Sequence, residues 1–165
     1  MKNIEIERRY VVIDVPTEDI EATVVDTYVI KQYYISNNPL VRVRSSTNKT
    51  TNLTEYVLTI KGPGTVTRVE VNTVISKEDF LSLKNLSDRR VIKVRELIEC
   101  HENTWEVDTM INCGDDYIEA MIAEIELKSE QEEFIEPKWI GEEVTETCNN
   151  YIMAELRSNV KTKDY

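Results

Sequence analysis

The sequence predicts an α+β fold that is mainly β, with about eight antiparallel strands and a few helices packed outside, in one domain. Three observations predict it. Charged residues repeatedly flank an apolar one: Glu5 and Glu7 about Ile6, Arg42 and Arg44 about Val43, Arg68 and Glu70 about Val69, Lys93 and Arg95 about Val94, Glu106 and Asp108 about Val107, Glu124 and Glu126 about Ile125. In an extended strand, residues i and i+2 share a face, so each segment carries one apolar and one charged side. Turn signals such as Asn37-Asn38-Pro39 and Gly62-Pro63-Gly64 separate these segments, and helical spacing is confined to short stretches.

Taken in order, residues 3–13 read as a strand that runs from the first charged pair into apolar β-branched sequence. Pro16 and Thr17 open a short helical turn, with Glu18 and Asp19 placed for its N-terminal dipole. Val24 to Ser36 is rich in Val, Ile, Thr and Tyr and reads as a second strand, followed by a turn and a third strand over 40–46. The polar stretch 47–54 reads as a hairpin loop, followed by strands from Tyr56 to Lys61 and from Thr67 to Ile75. Ser76 with Asp79 resembles a capping box, and Phe80, Leu81, Leu83 and Leu86 follow at helical spacing. Asp88 to Cys100, Thr104 to Met110 and Ile118 to Leu127 complete the strands. Val144, Cys148, Tyr151, Ile152 and Leu156 form one stripe of an amphipathic C-terminal helix starting at Thr145.

Composition bounds the function. The 165 residues suit one domain with a real core, and 41% hydrophobic content is ordinary for a globular protein. A net charge of −11 argues against binding a nucleic-acid duplex, so any anion site must be a local basic concentration. No apolar run approaches the ~20 residues that span a bilayer, and Glu5 comes too early for a signal peptide. The expected location is the cytoplasm, with no membrane partner. Cys100, Cys113 and Cys148 are odd in number and lack CxxC spacing, as reduced structural thiols do. Two glycosylation patterns, at Asn48 and Asn52, carry little weight without secretion.

Two arrangements fit strands of this kind. Charges can face water around a sandwich core, or the strands can close into a barrel with a charged lumen and a helix-covered apolar exterior. Two features favour the barrel. Like charges segregate by strand, as in Arg42/Arg44, Lys93/Arg95, Glu5/Glu7 and Glu124/Glu126, and amphipathic helices need an apolar surface to cover. Paired carboxylates supply hard oxygen ligands for Mg²⁺ or Mn²⁺, and clustered Arg and Lys neutralise phosphate oxygens. A metal–polyphosphate would satisfy both signs.

The blocks that carry these charges resemble the CYTH-domain, or triphosphate tunnel metalloenzyme, superfamily. Its Glu-x-Glu-x-Lys signature is matched by Glu5-Ile6-Glu7-Arg8-Arg9. The similarity continues in order through Ile30–Tyr34, Val41–Arg44, Leu58–Gly62, Arg68–Glu70, Lys93–Arg95, Trp105–Asp108, Ala123–Leu127 and Trp139–Thr145. The resemblance implies a closed eight-stranded antiparallel tunnel that binds a triphosphate along its axis. It implies divalent metal, Mg²⁺ or Mn²⁺, at Glu5, Glu7, Glu124 and Glu126, with Glu70 and Asp108 in support. Arg9, Arg42, Arg44, Lys61, Arg68, Lys93 and Arg95 would hold phosphates, and Arg9, Tyr34 and Glu7 would occupy the catalytic positions. The implied activity is hydrolysis of a small triphosphate. A cyclase of the class IV adenylate type and a non-catalytic polyphosphate binder are the competing readings. A homodimer is compatible with the resemblance.

Three positions depart from the pattern. Arg9 stands where the signature has Lys, Asn72 stands where a further Glu follows Arg-x-Glu, and the region 109–120 departs from the usual glycine-containing loop after Asp108. Arginine keeps the phosphate-binding charge but cannot share a proton as lysine can. Tyr34 holds the position of a tyrosine that pairs with that lysine in some members. Other residues read as ordinary: His101 as a solvated turn histidine without zinc-partner spacing, Trp105 and Trp139 as packing residues, Glu130–Glu133 as a solvated loop or helix face, and Tyr33 as an outward packing residue.

Overall fold

The computed structural model describes residues 4–87, 89–111 and 121–148. Its strands are β1 (Ile4–Val12), β2 (Thr23–Asn37), β3 (Leu40–Asn48), β4 (Thr54–Lys61), β5 (Thr67–Val74), β6 (Arg89–Cys100), β7 (Asn103–Met110), β8 (Met121–Glu126) and β9 (Ile140–Glu143). One helix, α1 (Lys77–Lys84), and a 3₁₀ turn at Pro16–Glu18 join them. The antiparallel order β5-β4-β3-β2-β6-β7-β8-β1 closes on itself where Glu5 of β1 pairs with Arg68 of β5. The sequence expectation of a closed eight-stranded barrel, mainly β, holds.

Alternation puts the charges inside. On β1, Glu7 and Arg9 point into the lumen while Ile6 and Tyr10 join an apolar cluster on the outer face. The main hydrophobic core therefore lies outside the barrel wall, over β1, β6, β7 and β8. Trp105 is its centre, fully buried with edge-to-face contacts to Tyr10 at 5.9 Å, Phe134 at 5.7 Å and Trp139 at 5.5 Å. Truncating such a tryptophan costs about 3–5 kcal/mol. Both tryptophans pack, as expected.

Elsewhere α1 covers the wall. Ser76 Oγ accepts the Asp79 N–H at 3.0 Å, so the anticipated cap forms. The helix buries Phe80 against Tyr33 at 5.8 Å and Tyr56 at 5.0 Å, which places Tyr33 outward.

Several expectations need correction. The hairpin between β3 and β4 is shorter than 47–54, because Thr47 and Asn48 remain paired to β2, and Thr47 to Thr54 of β4. Over the tryptophans the cover is irregular chain, residues 127–139, rather than helix. Glu130 there lies in a turn, with its carbonyl accepting from Arg8 at 3.1 Å. The strand β9 was not anticipated; Ile-Gly-Glu-Glu is too short to show alternation. It forms because β1 gives one edge to β8 and shares the other, Ile4–Ile6 pairing with β5 and Tyr10 and Val12 with β9. Gly141 permits the approach, since a Cβ there would sit 2.6 Å from Ile13. Of the predicted C-terminal stripe, Tyr151, Ile152 and Leu156 fall outside the described residues. The turn that would begin it is present, with Cys148 N donating to Val144 O at 2.9 Å.

Candidate active site

Inside the barrel, ten charged side chains form a continuous alternating network, which Glu106 joins through Arg95. Glu70 pairs with Lys61 at 2.5 Å, Lys61 with Glu5 at 2.9 Å, and Glu5 with Arg68 at 2.8 Å. Arg68 and Arg9 both meet Glu7, and Arg9 Nε donates to Glu124 at 2.9 Å. Glu124 reaches Arg95 at 2.9 Å, and Arg95 donates to both oxygens of Asp108, which also holds Lys93. The five acids and five bases come from β1, β4, β5, β6, β7 and β8. Register makes this so: Glu5 lies opposite Arg68, Lys61 opposite Glu70, Arg9 opposite Glu124, and Arg95 opposite Asp108.

The network sets the protonation of its members. Burial opposes ionised Glu5, but a shared hydrogen bond with Glu70 and the charges of Lys61 and Arg68 hold it down at about 2. Burial likewise opposes ionised Glu124, yet Arg95, Lys93 and Arg9 keep it well below the carboxylate range. Glu7 goes the other way, raised by burial and by Glu124. Glu126, exposed at the rim, is raised by burial and then by Glu5 and Glu70. Lys93 is pushed down to about 8 by burial and Arg95, against the pull of Asp108. For Arg95, burial is outweighed by Asp108 and Glu124, which hold it above its ordinary value.

Across the barrel, β3 differs. Arg42 and Arg44 make no ion pair among the described residues, and the Nε of each is buried without a partner. Burial, then Arg42 and Arg95, lower Arg44 to about 10. Arg42 faces Tyr34, whose hydroxyl donates to Gln32 at 2.8 Å. Burial raises Tyr34 despite Arg42, so it is a proton donor rather than a base.

A cavity of about 210 Å³ opens beside these groups, lined by Arg9, Tyr34, Arg42, Lys61 and Arg68 together with the turns at Asn37–Leu40 and Gly62–Gly64. Gly64 is obligatory in that rim: its φ is 129°, and a Cβ would lie 2.2 Å from the Thr67 carbonyl. All fourteen side chains singled out in the sequence for phosphate, metal or chemistry therefore belong to lumen-facing strand positions, with Glu126 at the rim.

Comparison with known proteins is decisive for the family. The CYTH domain pattern matches residues 3–157. The chain belongs to the CYTH family. The CYTH chain is 32% identical over 146 residues to the inorganic triphosphatase of Acetivibrio thermocellus, covering 86% of this chain and 85% of that one. It is also similar to the crystal structure of the inorganic triphosphatase NE1496, with 28% identity, a TM-score of 0.57 and coverage of 91% and 93%. The PH1819 protein of Pyrococcus horikoshii shares the fold at 20% identity, with a TM-score of 0.58 and coverage of 77% and 80%.

Sequence reasoning passed over several lumen residues of this CYTH barrel. Gln32 and Thr59 are buried, and Glu106 pairs with Arg95. Each lies two residues from a chosen one (Tyr34, Lys61 and Asp108), so the period-2 rule would have found them. Asn72, at the expected glutamate position, accepts from Thr59 at 2.7 Å and donates to Glu70 at 2.7 Å. A neutral amide there bridges the wall instead of adding a further negative charge.

Proposed function

We propose that this CYTH protein is a divalent-metal-dependent triphosphatase of the cytoplasm, hydrolysing inorganic triphosphate or a small organic or nucleoside triphosphate, with residues 1–165 acting as one tunnel domain. One observation carries the reading: the cavity is lined by four cations, Arg9, Arg42, Lys61 and Arg68, of which Arg42 makes no ion pair among the described residues, while Arg9, Lys61 and Arg68 are tied to the carboxylates of Glu5, Glu7, Glu70 and Glu124. The relatives named inorganic triphosphatases support it.

The donor set fits a hard cation. Glu5, Glu7, Glu70, Glu124 and Glu126 offer carboxylate oxygens, and the raised pKa values of Glu7 and Glu126 reflect burial first and neighbouring acids second. Asp108, pinned between Lys93 and Arg95, would serve chiefly to hold those cations. When bound, Mg²⁺ or Mn²⁺ supplies charge neutralisation on phosphate oxygens and lowers the pKa of water.

The protein's own groups do the rest. Arg42 and Arg44 receive the polyphosphate first, since no existing pair must be broken. Arg9, Lys61, Arg68, Lys93 and Arg95 exchange carboxylate partners for phosphate oxygens as charge enters. Tyr34 orients through its hydroxyl, next to Arg42. Water attacks the terminal phosphorus in line, the anhydride P–O bond breaks, and diphosphate leaves. Glu7, whose pKa is raised by burial and by Glu124, would take the proton from water. Catalysis is mainly electrostatic positioning.

The test is to incubate the purified chain with inorganic triphosphate, ATP and organic triphosphates in Mg²⁺ or Mn²⁺ and to identify products chromatographically. Phosphate with the matching diphosphate is expected. Release no faster than background with either metal refutes the proposal, and cyclic AMP from ATP would assign the barrel to cyclase chemistry instead.

A further inference from the structure

Away from the tunnel, the 3₁₀ turn before β2 meets the hairpin joining β6 to β7, and three side chains of metal-ligating type converge there. A carboxylate oxygen of Asp19, the Cys100 sulfur and a His101 ring nitrogen all lie within 4.8 Å of one another. The sequence runs through five strands, β2 to β6, between Asp19 and the other two, so spacing alone hides the cluster. Pairing of β2 with the end of β6, Thr23 opposite Glu99, brings the two loops together.

Each donor is held. Cys100 ends β6 and is 1% exposed. His101 and Glu102 form the two-residue turn, both with positive φ, 49° and 65°, and Asn103 Nδ2 donates to the His101 carbonyl at 3.0 Å. Asp19 Oδ1 accepts the Glu21 N–H at 3.1 Å. That bond orients the carboxylate, and the second oxygen, Oδ2, is buried with no hydrogen-bond partner among the described residues. An unsatisfied buried acceptor is costly, and a cation is one way to satisfy it.

We propose that Asp19, Cys100 and His101 form a binding site for a borderline-soft divalent cation of the zinc class, with water completing the coordination. One thiolate, one imidazole and one carboxylate are the donors such ions take, whereas Mg²⁺ prefers oxygen alone. A tetrahedral ion of this kind holds its ligand atoms about 3.3–3.8 Å apart, so donors within 4.8 Å of one another need draw together by at most about 1.5 Å. His101 on its turn and Asp19 on its loop can do so by side-chain rotation. The ion would clip the chain entering β2 to the β6–β7 hairpin, independently of the tunnel and of its chemistry.

The test uses cobalt as a spectroscopic stand-in. The metal-stripped full chain is titrated with Co²⁺ and then with Zn²⁺. Expected are a thiolate-to-cobalt charge-transfer band, its loss when zinc displaces cobalt, and a rise in melting temperature with zinc. Cys100→Ser removes the band. Because Cys100 is buried, His101→Asn is the decisive variant, since asparagine tolerates the left-handed turn and the site is partly exposed. It should weaken cobalt binding at least about tenfold, as should Asp19→Asn. The absence of a charge-transfer band in the unaltered chain overturns the proposal. So does a band of unchanged affinity in His101→Asn, which would place the thiolate ligand elsewhere.

Discussion

On the wall built from β1, β6, β7 and β8, Arg9, Lys93 and Arg95 each face carboxylates, and the group is close to neutral before any ligand arrives. On the β3 wall across the barrel, Arg42 is buried and Arg44 half-buried, and neither forms an ion pair among the described residues, although Glu70 and Glu55 act on Arg44. Lys93 and Arg95 look like Arg42 and Arg44 in sequence, each a pair of cations two residues apart. Their physics differs. A paired buried cation supports the fold, and removing it leaves its carboxylates stranded. An unpaired one burdens the fold and is relieved only when an anion binds.

The largest effect should follow from breaking the paired wall. Arg95→Met removes the partner shared by Asp108 and Glu124, leaving each with one cation, Lys93 and Arg9 respectively, and should lower unfolding stability by about 3–5 kcal/mol in denaturant titration. A loss below ~1 kcal/mol would erase the distinction between the walls.

The unpaired wall should respond in the opposite sense. Arg44→Met removes like-charge repulsion from Arg42 and Arg95, so stability should hold or rise. Triphosphate affinity, measured calorimetrically, should fall roughly 10- to 100-fold for the loss of charge-assisted hydrogen bonds. Destabilisation matching that of Arg95→Met would show that both walls are structural.

Acidity sharpens the comparison further. Lys93, at about 8 in the free protein, is neutral above that pH, yet it must be charged to hold phosphate. Triphosphate binding should therefore take up a proton near pH 8–9, and affinity should fall by up to about tenfold per pH unit above 8. Lys93→Arg should flatten this slope. In the free protein the sign is the reverse: the unfolded chain binds more protons than the folded one between about 8 and 10.5, so Lys93 makes stability rise with pH across that window. Glu7 acts at the acid side. Its raised pKa predicts metal affinity that declines as pH falls through a window above 4.5, earlier than an unperturbed glutamate would give.

The smallest expected change is at Arg9. Its guanidinium is tied to Glu7 and Glu124, and its backbone N–H donates to Thr145 Oγ1 at 3.0 Å. Arg9→Lys should raise hydrolysis several-fold by loosening Glu7 and restoring a group able to share a proton. A rate that stays level or drops would remove any special role for this position.

Much of this barrel was legible in the residues. The i, i+2 rhythm of charge around Ile6, Val43, Val94, Val107 and Ile125 is local, and a strand must turn it into two chemically different faces whatever surrounds it. Glycine and proline at 62–64 and the Ser76 cap act over a few residues, so the turn and the start of α1 were readable too. The family pattern over 3–157 rests on that same local information.

What the sequence by itself determined, then, is which side chains share a face and which segments are strands. Only tertiary structure decided which cations find partners. Arg95 meets Asp108 because β6 and β7 align in register, and Arg44 forms no ion pair among the described residues because its neighbours across β2 and β4 are Gln32 and Val57. The same holds for β9, which exists only because β1 has an open edge, and for Asp19 beside Cys100 and His101. Pairing, unlike alternation, depends on residues far apart in the chain, and no local pattern records it.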